Sequence, residues 1–502
     1  MLEIATTKSH KILFLNTLAF TVCFAAWMFN GVLVTFLVDN QVFNWGPVKI
    51  GWLLGIPVLT GSLFRLPAGM LTDKFGGKPV FVSLLFLCAV PMYLLSKADS
   101  FFLFALCSFG FGLAGVSFSI GIAFTSVWYP RERQGTALGI FGAGNVGAAL
   151  TTLFAPTMLN RLTNSGANID GWRQLPVYYA LILAGMGVVF ALFSENRKPA
   201  SSSKSFTKML TPLKHVRVWR FGLYYFLVFG CFVAFSQWLM PYFVNVYYLP
   251  LVTAGLFASM FSLPSGVFRA LGGWLSDKFG GRQIMYVVLT VSTLISLLII
   301  VPKMEIYSPG QGVMAKRGGV VKEVTSTSIV IDEQSYLLKG KPEIMTNFDG
   351  KMLIFPSKQA WQEPVVVVGQ TVYKKELLAK GVTRIFFQAN VWIFAAFVLI
   401  LGISWGIGMA AVYKLIPDYF PEEVGVVGGM VGVIGGLGGF VCPIVFGYLL
   451  EWSGLWSSCW MFIFVLSLLC IVSLHYVVRK MMLAKHPKDM RKIEGPAAGV
   501  RL

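Results

Sequence analysis

Long apolar runs follow one another along most of this 502-residue chain and constrain its fold more than any other feature. A helix of about 20 apolar residues crosses the roughly 30 Å hydrocarbon core of a bilayer and satisfies its own backbone polar groups there. Only 13% of the residues are charged, against about 25% in soluble proteins. We therefore predict an all-α polytopic membrane protein. Its twelve spans are expected at 12–37, 46–71, 78–97, 99–128, 135–160, 174–194, 218–247, 251–275, 284–301, 386–413, 424–451 and 454–478.

The distribution of basic residues predicts the orientation of these spans. Basic residues cluster in "SENRKPASSSKSFTKMLTPLKHVR", between the sixth and seventh runs, and in the tail. The short loops on the opposite side hold few of them, namely Lys49, Lys97, Arg161 and Arg173. Because Lys and Arg concentrate in cytoplasmic loops, we expect a bacterial inner-membrane protein with both termini in the cytoplasm. The net charge of +19 then reflects topology and contact with the bilayer, and no nucleic-acid partner is expected.

A repeat relates the first six runs to the last six. The stretch "FRLPAGMLTDKFGGK", which starts at Phe64, returns as "FRALGGWLSDKFGGR", which starts at Phe268, after the second run of each group. Transporters with parallel repeats bind their substrate near the membrane midplane, between the halves. We predict six-helix halves at 1–195 and at 218–302 with 386–478, a linker at 196–217 and a basic tail at 479–502.

Residues 303–385 interrupt the second half and are too polar to span a membrane. They contain "GGVVKEVTSTSIVI" and "EPVVVVGQTVYKKELLAKG", in which β-branched residues alternate with polar ones. This period of two predicts a small β-rich domain. The orientation of the spans places it outside the membrane, on the extracytoplasmic side.

Each copy of the repeat carries an arginine eight residues before its aspartate, which is about 12 Å along a helix. If Asp73 and Asp277 mark the inner boundary, Arg65 and Arg269 lie near the bilayer centre, where an arginine costs about 2.5–3.5 kcal/mol. No Asp or Glu of the predicted spans lies at that depth. Snorkelling would reach water only in part, and capping of a helix break near Pro67 could serve Arg65 alone. Since guanidinium stays protonated and its planar fork suits oxyanions, we expect the two arginines to bind a small anion.

Glycine recurs at spacings of three and four in the fifth run, "GTALGIFGAGNVGAAL", and in the eleventh, "GVVGGMVGVIGGLGGF". Close helix packing explains most of these glycines. It does not explain Asn145, a buried amide that either donates to an anion or hydrogen-bonds a second helix. Together with the two "G-x-L-x-D-K-F-G-G-K/R" boxes and the two arginines, these helices resemble the nitrate/nitrite porter family of the major facilitator superfamily. The resemblance covers both halves but not residues 303–385.

The resemblance implies the twelve-helix major facilitator fold and a monomeric transporter of nitrate and nitrite, without a cofactor. It implies a substrate site formed by Arg65, Arg269, Asn145, Tyr225, Phe118, Phe229, Gly144 and Gly436. It also implies an inner gate formed by Asp73, Asp277, Lys78 and Arg282.

Two unpaired arginines favour exchange, because their repulsion resists closure of the empty carrier and an anion relieves it. Proton symport usually needs a titratable group at depth, and His475 lies near the inner end of the last run. Three alternatives remain open: proton-coupled nitrate uptake, transport of another oxyanion such as formate, an organophosphate or a dicarboxylate, and a membrane sensor that uses the outer domain. No catalytic triad, metal cluster or phosphate loop indicates an enzyme.

Overall fold

The computed structural model describes residues 7–129, 131–198, 211–300, 303–341, 357–420 and 424–485. Most of the predicted linker and the tail beyond residue 485 lie outside these ranges. The chain forms two compact units. The helical unit contains the chain up to Leu298 and from Ala395 onwards, and the β unit runs from Ile299 to Phe394.

Twelve helices in the described ranges are long and apolar enough to cross a membrane, which confirms the predicted number of spans. They are α1 (Thr7–Asp39), α2 (Pro47–Phe75), α3 (Gly77–Leu95), α4 (Phe101–Ser126), α5 (Ala137–Leu162), α6 (Ile169–Phe193), α7 (Val216–Tyr247), α8 (Leu251–Phe279), α9 (Gly281–Leu298), α10 (Val391–Tyr419), α11 (Val426–Ser453) and α12 (Ser458–Met481). Helical geometry starts earlier before α5, at Arg131, and before α11, at Val424, and it continues after α12 to Lys485.

Five of these helices are interrupted in their middle. α1 breaks between Trp27 and Asn30, and α2 breaks at Phe64. α4 tightens into a 3₁₀ turn at Gly112–Val116, and α5 does so at Ala143–Val146. α7 widens into a π turn at Phe226–Gly230. Such irregular turns free backbone groups and re-aim side chains, and they occur preferentially at functional sites.

The two six-helix halves pack most closely at the end remote from the DKFGG boxes. A Cβ on Gly447 of α11 would lie 2.6 Å from the carbonyl oxygen of Pro47 on α2, and one on Gly255 of α8 would overlap the α5 backbone. Towards the boxes the same helix pair separates, since a Cβ on Gly429 would meet Leu66 at 3.5 Å. We call the remote end the closed end and the opposite end the box end.

The β unit has two antiparallel sheets built from β1 (Lys303–Met314), β2 (Gly319–Val324), β3 (Ser328–Ile331), β4 (Gln334–Leu337), β5 (Ser357–Pro364), β6 (Thr371–Val372) and β7 (Leu377–Gln388). The strand orders are β1-β7-β5 and β4-β3-β2-β6. Alternate residues such as Val321, Ile329 and Leu378 form its apolar core. The period-two alternation therefore predicts its strands correctly. α10 begins later than residue 386, because Phe386 and Phe387 pair with β1.

Candidate functional site

Arg65 begins the second segment of α2, directly after the break at Phe64. Its side chain lies in the core and only 3% of the residue surface is exposed. The Nη1 group donates a hydrogen bond of 2.9 Å to the carbonyl oxygen of Gly432, on α11 in the opposite half. Nε and Nη2 are buried and have no hydrogen-bond partner in the part of the chain that the structure describes. A backbone carbonyl therefore engages one corner of the guanidinium and leaves two donors available.

Arg269 lies at the equivalent place in the second half, on the uninterrupted helix α8. It is partly buried. Its Nη2 lies 3.5 Å from the hydroxyl oxygen of Tyr225, at the limit of a hydrogen bond, and its Nη1 is buried without a partner among the described residues. The two arginines together thus present three unpartnered nitrogens.

The ring of Phe118, on α4, brings the two arginines into one site. The Cζ atom of Arg65 lies 5.6 Å from the ring centroid, and that of Arg269 lies 5.3 Å from it. Arg65 is also 5.3 Å from the Phe229 ring and 5.8 Å from the Trp27 ring. Cation–π contacts of this kind contribute about 0.5–2 kcal/mol each. They do not accept the in-plane N–H groups, which still require an oxygen acceptor.

Protein carboxylates do not supply that acceptor. Within the described ranges neither Arg65 nor Arg269 forms a salt bridge, and no Asp, Glu or His side chain is fully buried. The β unit offers a direct contrast. Its buried Arg384 donates to Glu305 at 2.7 Å and to Gln359 at 3.3 Å. A buried arginine without an acid partner is costly, so Arg65 and Arg269 differ from the structural arginine of the same chain.

Tyr225 and Phe229 lie at the start and inside of the π turn of α7. Their rings stack at 4.9 Å with an interplanar angle of 9°. Tyr413, on α10, packs edge-on against Tyr225 at 5.1 Å and donates to the carbonyl oxygen of Gly428 at 3.1 Å. The sequence analysis missed Tyr413 and also Trp27, whose indole N–H donates to the Pro57 carbonyl. The available signal for Tyr413 was a hydroxyl within an otherwise apolar run.

Asn145 lies in the 3₁₀ turn of α5, and 1% of its surface is exposed. Neither its amide nitrogen nor its amide oxygen has a partner in the described ranges. A Cβ on Gly266, three residues before Arg269 on α8, would lie 3.8 Å from the Asn145 Cβ. A Cβ on Gly142 would lie 3.9 Å from the Arg269 Nε. The amide is therefore a neighbour of the second arginine and is not used to join two helices.

The two glycines named from the sequence occupy different surroundings. A Cβ on Gly436 would overlap the Ser62 hydroxyl and lie 3.4 Å from Arg65 Nη1. A Cβ on Gly144 would overlap the Phe20 ring instead. Gly436 thus keeps space directly at the first arginine, whereas Gly144 allows an aromatic side chain to pack.

The helix interruptions coincide with these side chains. Trp27 precedes the break in α1, Arg65 follows the break in α2, Phe118 follows the 3₁₀ turn of α4, and Asn145 and Phe229 lie within their turns. Glycine pairs hint at two of these turns, but hydropathy does not locate them.

The four residues assigned to the gate lie at the box end and do not contact the arginines. Asp277 pairs with Lys414 of α10 at 2.7 Å. The Lys78 ammonium donates to the Ser194 carbonyl at 2.8 Å, and Arg282 donates to the Tyr419 hydroxyl at 2.5 Å. Asp73 forms no ion pair within the described residues. His475 lies near the Tyr286 hydroxyl, 3.4 Å away.

Comparisons with known proteins agree with this architecture. The family model for the Major Facilitator Superfamily matches residues 15–312 and 377–501. The chain is 37% identical over 493 residues to a "Probable nitrate/nitrite antiporter NarK1" of Thermus thermophilus, covering 97% of this chain and 96% of that protein. It is 30% identical over 314 residues to a "Nitrite extrusion protein" of Bacillus subtilis, covering 62% of this chain and 77% of that protein.

Solved structures match at the level of the fold. A bacterial homologue of the human lysosomal transporter Spinster, in an inward-facing and occupied conformation, superposes with a TM-score of 0.62 and 13% identity. The match covers 95% of this chain and 98% of that one.

Proposed function

The chain belongs to the nitrate/nitrite porters of the major facilitator superfamily, and on that premise we propose that it exchanges nitrate and nitrite across the membrane by alternating access. One observation carries this proposal. Arg65 and Arg269 share the Phe118 ring and present three buried nitrogens without a partner in the described chain. Two permanent positive charges without a protein acid require a mobile anion.

The chemistry of the site favours a small planar anion. The N–H groups of each guanidinium lie in one plane and suit two oxygens of the same oxyanion. Phe118 and Phe229 form apolar walls beside Arg65 that exclude water and strengthen the ionic hydrogen bonds. The Tyr225 hydroxyl and the Asn145 amide can supply further donors. Nitrate and nitrite are planar, singly charged and small, so they match these donors without a large cavity.

Exchange follows from the charges and from the packing of the halves. Each arginine belongs to a different half, so an empty site brings two like charges together when the halves close around it. A bound anion neutralises this repulsion and permits the return step with cargo. In the described conformation the halves are packed at the closed end, and substrate access is therefore proposed from the box end.

We propose that the box end faces the cytoplasm, with both termini on that side of a bacterial inner membrane. The β unit would then lie on the extracytoplasmic side, as a spacer outside the transport path. The boundaries expected from the sequence, with halves at 1–195 and at 218–302 plus 386–478, are part of this proposal. So is a monomeric carrier.

Substrate selectivity tests the proposal. Purified protein in liposomes preloaded with nitrite should take up labelled nitrate, and external nitrate and nitrite should compete with that uptake. Formate, sulfate and glycerol phosphate should compete weakly, because they differ in shape, charge or size. Stronger competition by sulfate or glycerol phosphate than by nitrite would assign the site to a larger or doubly charged oxyanion and overturn the proposal.

A further inference from the structure

A second basic site lies at the box end of the second half, away from the transport site. A groove there is bounded by α7, α9, α10 and α12. Three arginines line it, Arg217 and Arg220 from the start of α7 and Arg282 from the start of α9. None of its lining residues is acidic. Three permanent positive charges therefore face one groove without a carboxylate in its wall.

The contacts within the groove leave these charges uncompensated. Arg282 donates to the Tyr419 hydroxyl, and the Arg217 guanidinium lies 5.3 Å from the centroid of the same ring. The Arg220 Nε is buried and has no hydrogen-bond partner among the described residues. None of the three arginines forms an ion pair in the described ranges. Tyr419 thus gathers two of the guanidiniums around a neutral ring.

The rest of the groove is apolar and continues into the membrane-facing surface. Leu474 and Val478 of α12 form part of its wall. On the same helix Val472 is 58% exposed and Tyr476 is 66% exposed, as expected for side chains that face lipid. A ligand that fits both parts has an anionic head and an apolar tail.

We propose that this groove binds the phosphate group of an anionic phospholipid. Arginine forks pair with phosphate oxygens in a bidentate manner, and basic pockets between membrane helices bind anionic headgroups. The acyl chains would lie along the apolar surface of α12. A soluble phosphate ester shares the headgroup chemistry but would not use that surface.

Native mass spectrometry of the delipidated full-length protein tests the site. Dioleoyl phosphatidylglycerol should remain bound at one tight site, and dioleoyl phosphatidylcholine should not. The double variant Arg217→Gln with Arg220→Gln should bind phosphatidylglycerol roughly thirtyfold more weakly, since each basic residue near a membrane surface contributes about 1 kcal/mol. The matched control Arg197→Gln with Lys198→Gln removes the same charge near the box of the other half and should bind it like the wild type.

The lysine pair, Arg217→Lys with Arg220→Lys, keeps the charge but removes the forks and should give an intermediate affinity. Equal loss in the control variant would mean that general surface charge, and not this groove, retains the lipid. Glycerol phosphate tests the wild type alone, so the inference does not depend on the variants folding. If glycerol phosphate displaces the lipid at equal concentration, the groove is a soluble phosphate site and the lipid proposal is wrong.

Discussion

Replacing Arg65 by lysine keeps the positive charge at the proposed site but removes the fork of donors. In the structure Nη1 is committed to the Gly432 carbonyl at 2.9 Å, while Nε and Nη2 are free for the anion. A lysine has a single nitrogen, so it cannot serve both the carbonyl and two anion oxygens. It loses at least one charge-assisted hydrogen bond, worth about 1.5–3 kcal/mol. The expected affinity loss is about ten- to a hundred-and-fifty-fold.

Arg269→Lys should be milder, because only Nη1 of Arg269 is buried without a partner and its contact with Tyr225 is long. The matched control is Arg173→Lys. Arg173 pairs at the surface with Asp99 and Asp170, and such exposed pairs contribute about 0–1 kcal/mol.

Nitrate-dependent thermal stabilisation of the purified variants measures these affinities, since a ligand of the folded state raises stability in proportion to RT ln(1 + [L]/Kd). Liposome uptake measures the effect on transport. If Arg65→Lys binds nitrate within about threefold of the wild type, the guanidinium fork does not hold the anion and the reasoning fails.

Three further substitutions probe the helices around the site. Gly436→Ala should lower transport by tenfold or more, because a Cβ there overlaps a hydroxyl and lies 3.4 Å from the first guanidinium; Gly273→Ala, with open space around it, is the control, and equal transport by both would contradict the argument. Asn145→Asp should bind nitrate at least tenfold more weakly without losing thermal stability, because its carboxylate competes with the anion for the neighbouring arginine. Asp277→Asn should leave the melting temperature nearly unchanged, since the pair with Lys414 is largely exposed, yet alter the transport rate at saturating substrate; an altered nitrate affinity with an unaltered rate would argue against a gate.

The parts of this protein that follow from the sequence are those set by local pattern. Run length predicts the twelve helices, and the alternation around Val321 and Ile329 predicts the strands of the β unit. Arg65 and Arg269 could be identified because a charge in an apolar run is conspicuous and the repeat places it twice. Their lack of a described acid partner agrees with the same reasoning.

The remaining features of the site depend on contacts between distant segments. Arg65 and Gly432 are separated by 367 positions, and hydropathy does not say which carbonyl of α11 the guanidinium meets. Tyr413 joins the site only because α10 packs against the π turn of α7. The helix interruptions depend on the balance between backbone hydrogen bonds and packing, and the sequence around Phe64 contains no signal that separates it from neighbouring residues.

Counterflow in liposomes tests the central claim most directly. The purified protein is reconstituted with nitrite inside, labelled nitrate is added outside, and the external pH is varied without a membrane potential. Exchange between two occupied states predicts rapid nitrate uptake that requires internal nitrite and is indifferent to the proton gradient. Equally fast uptake into liposomes without an internal anion, or uptake that follows the proton gradient, would contradict the account.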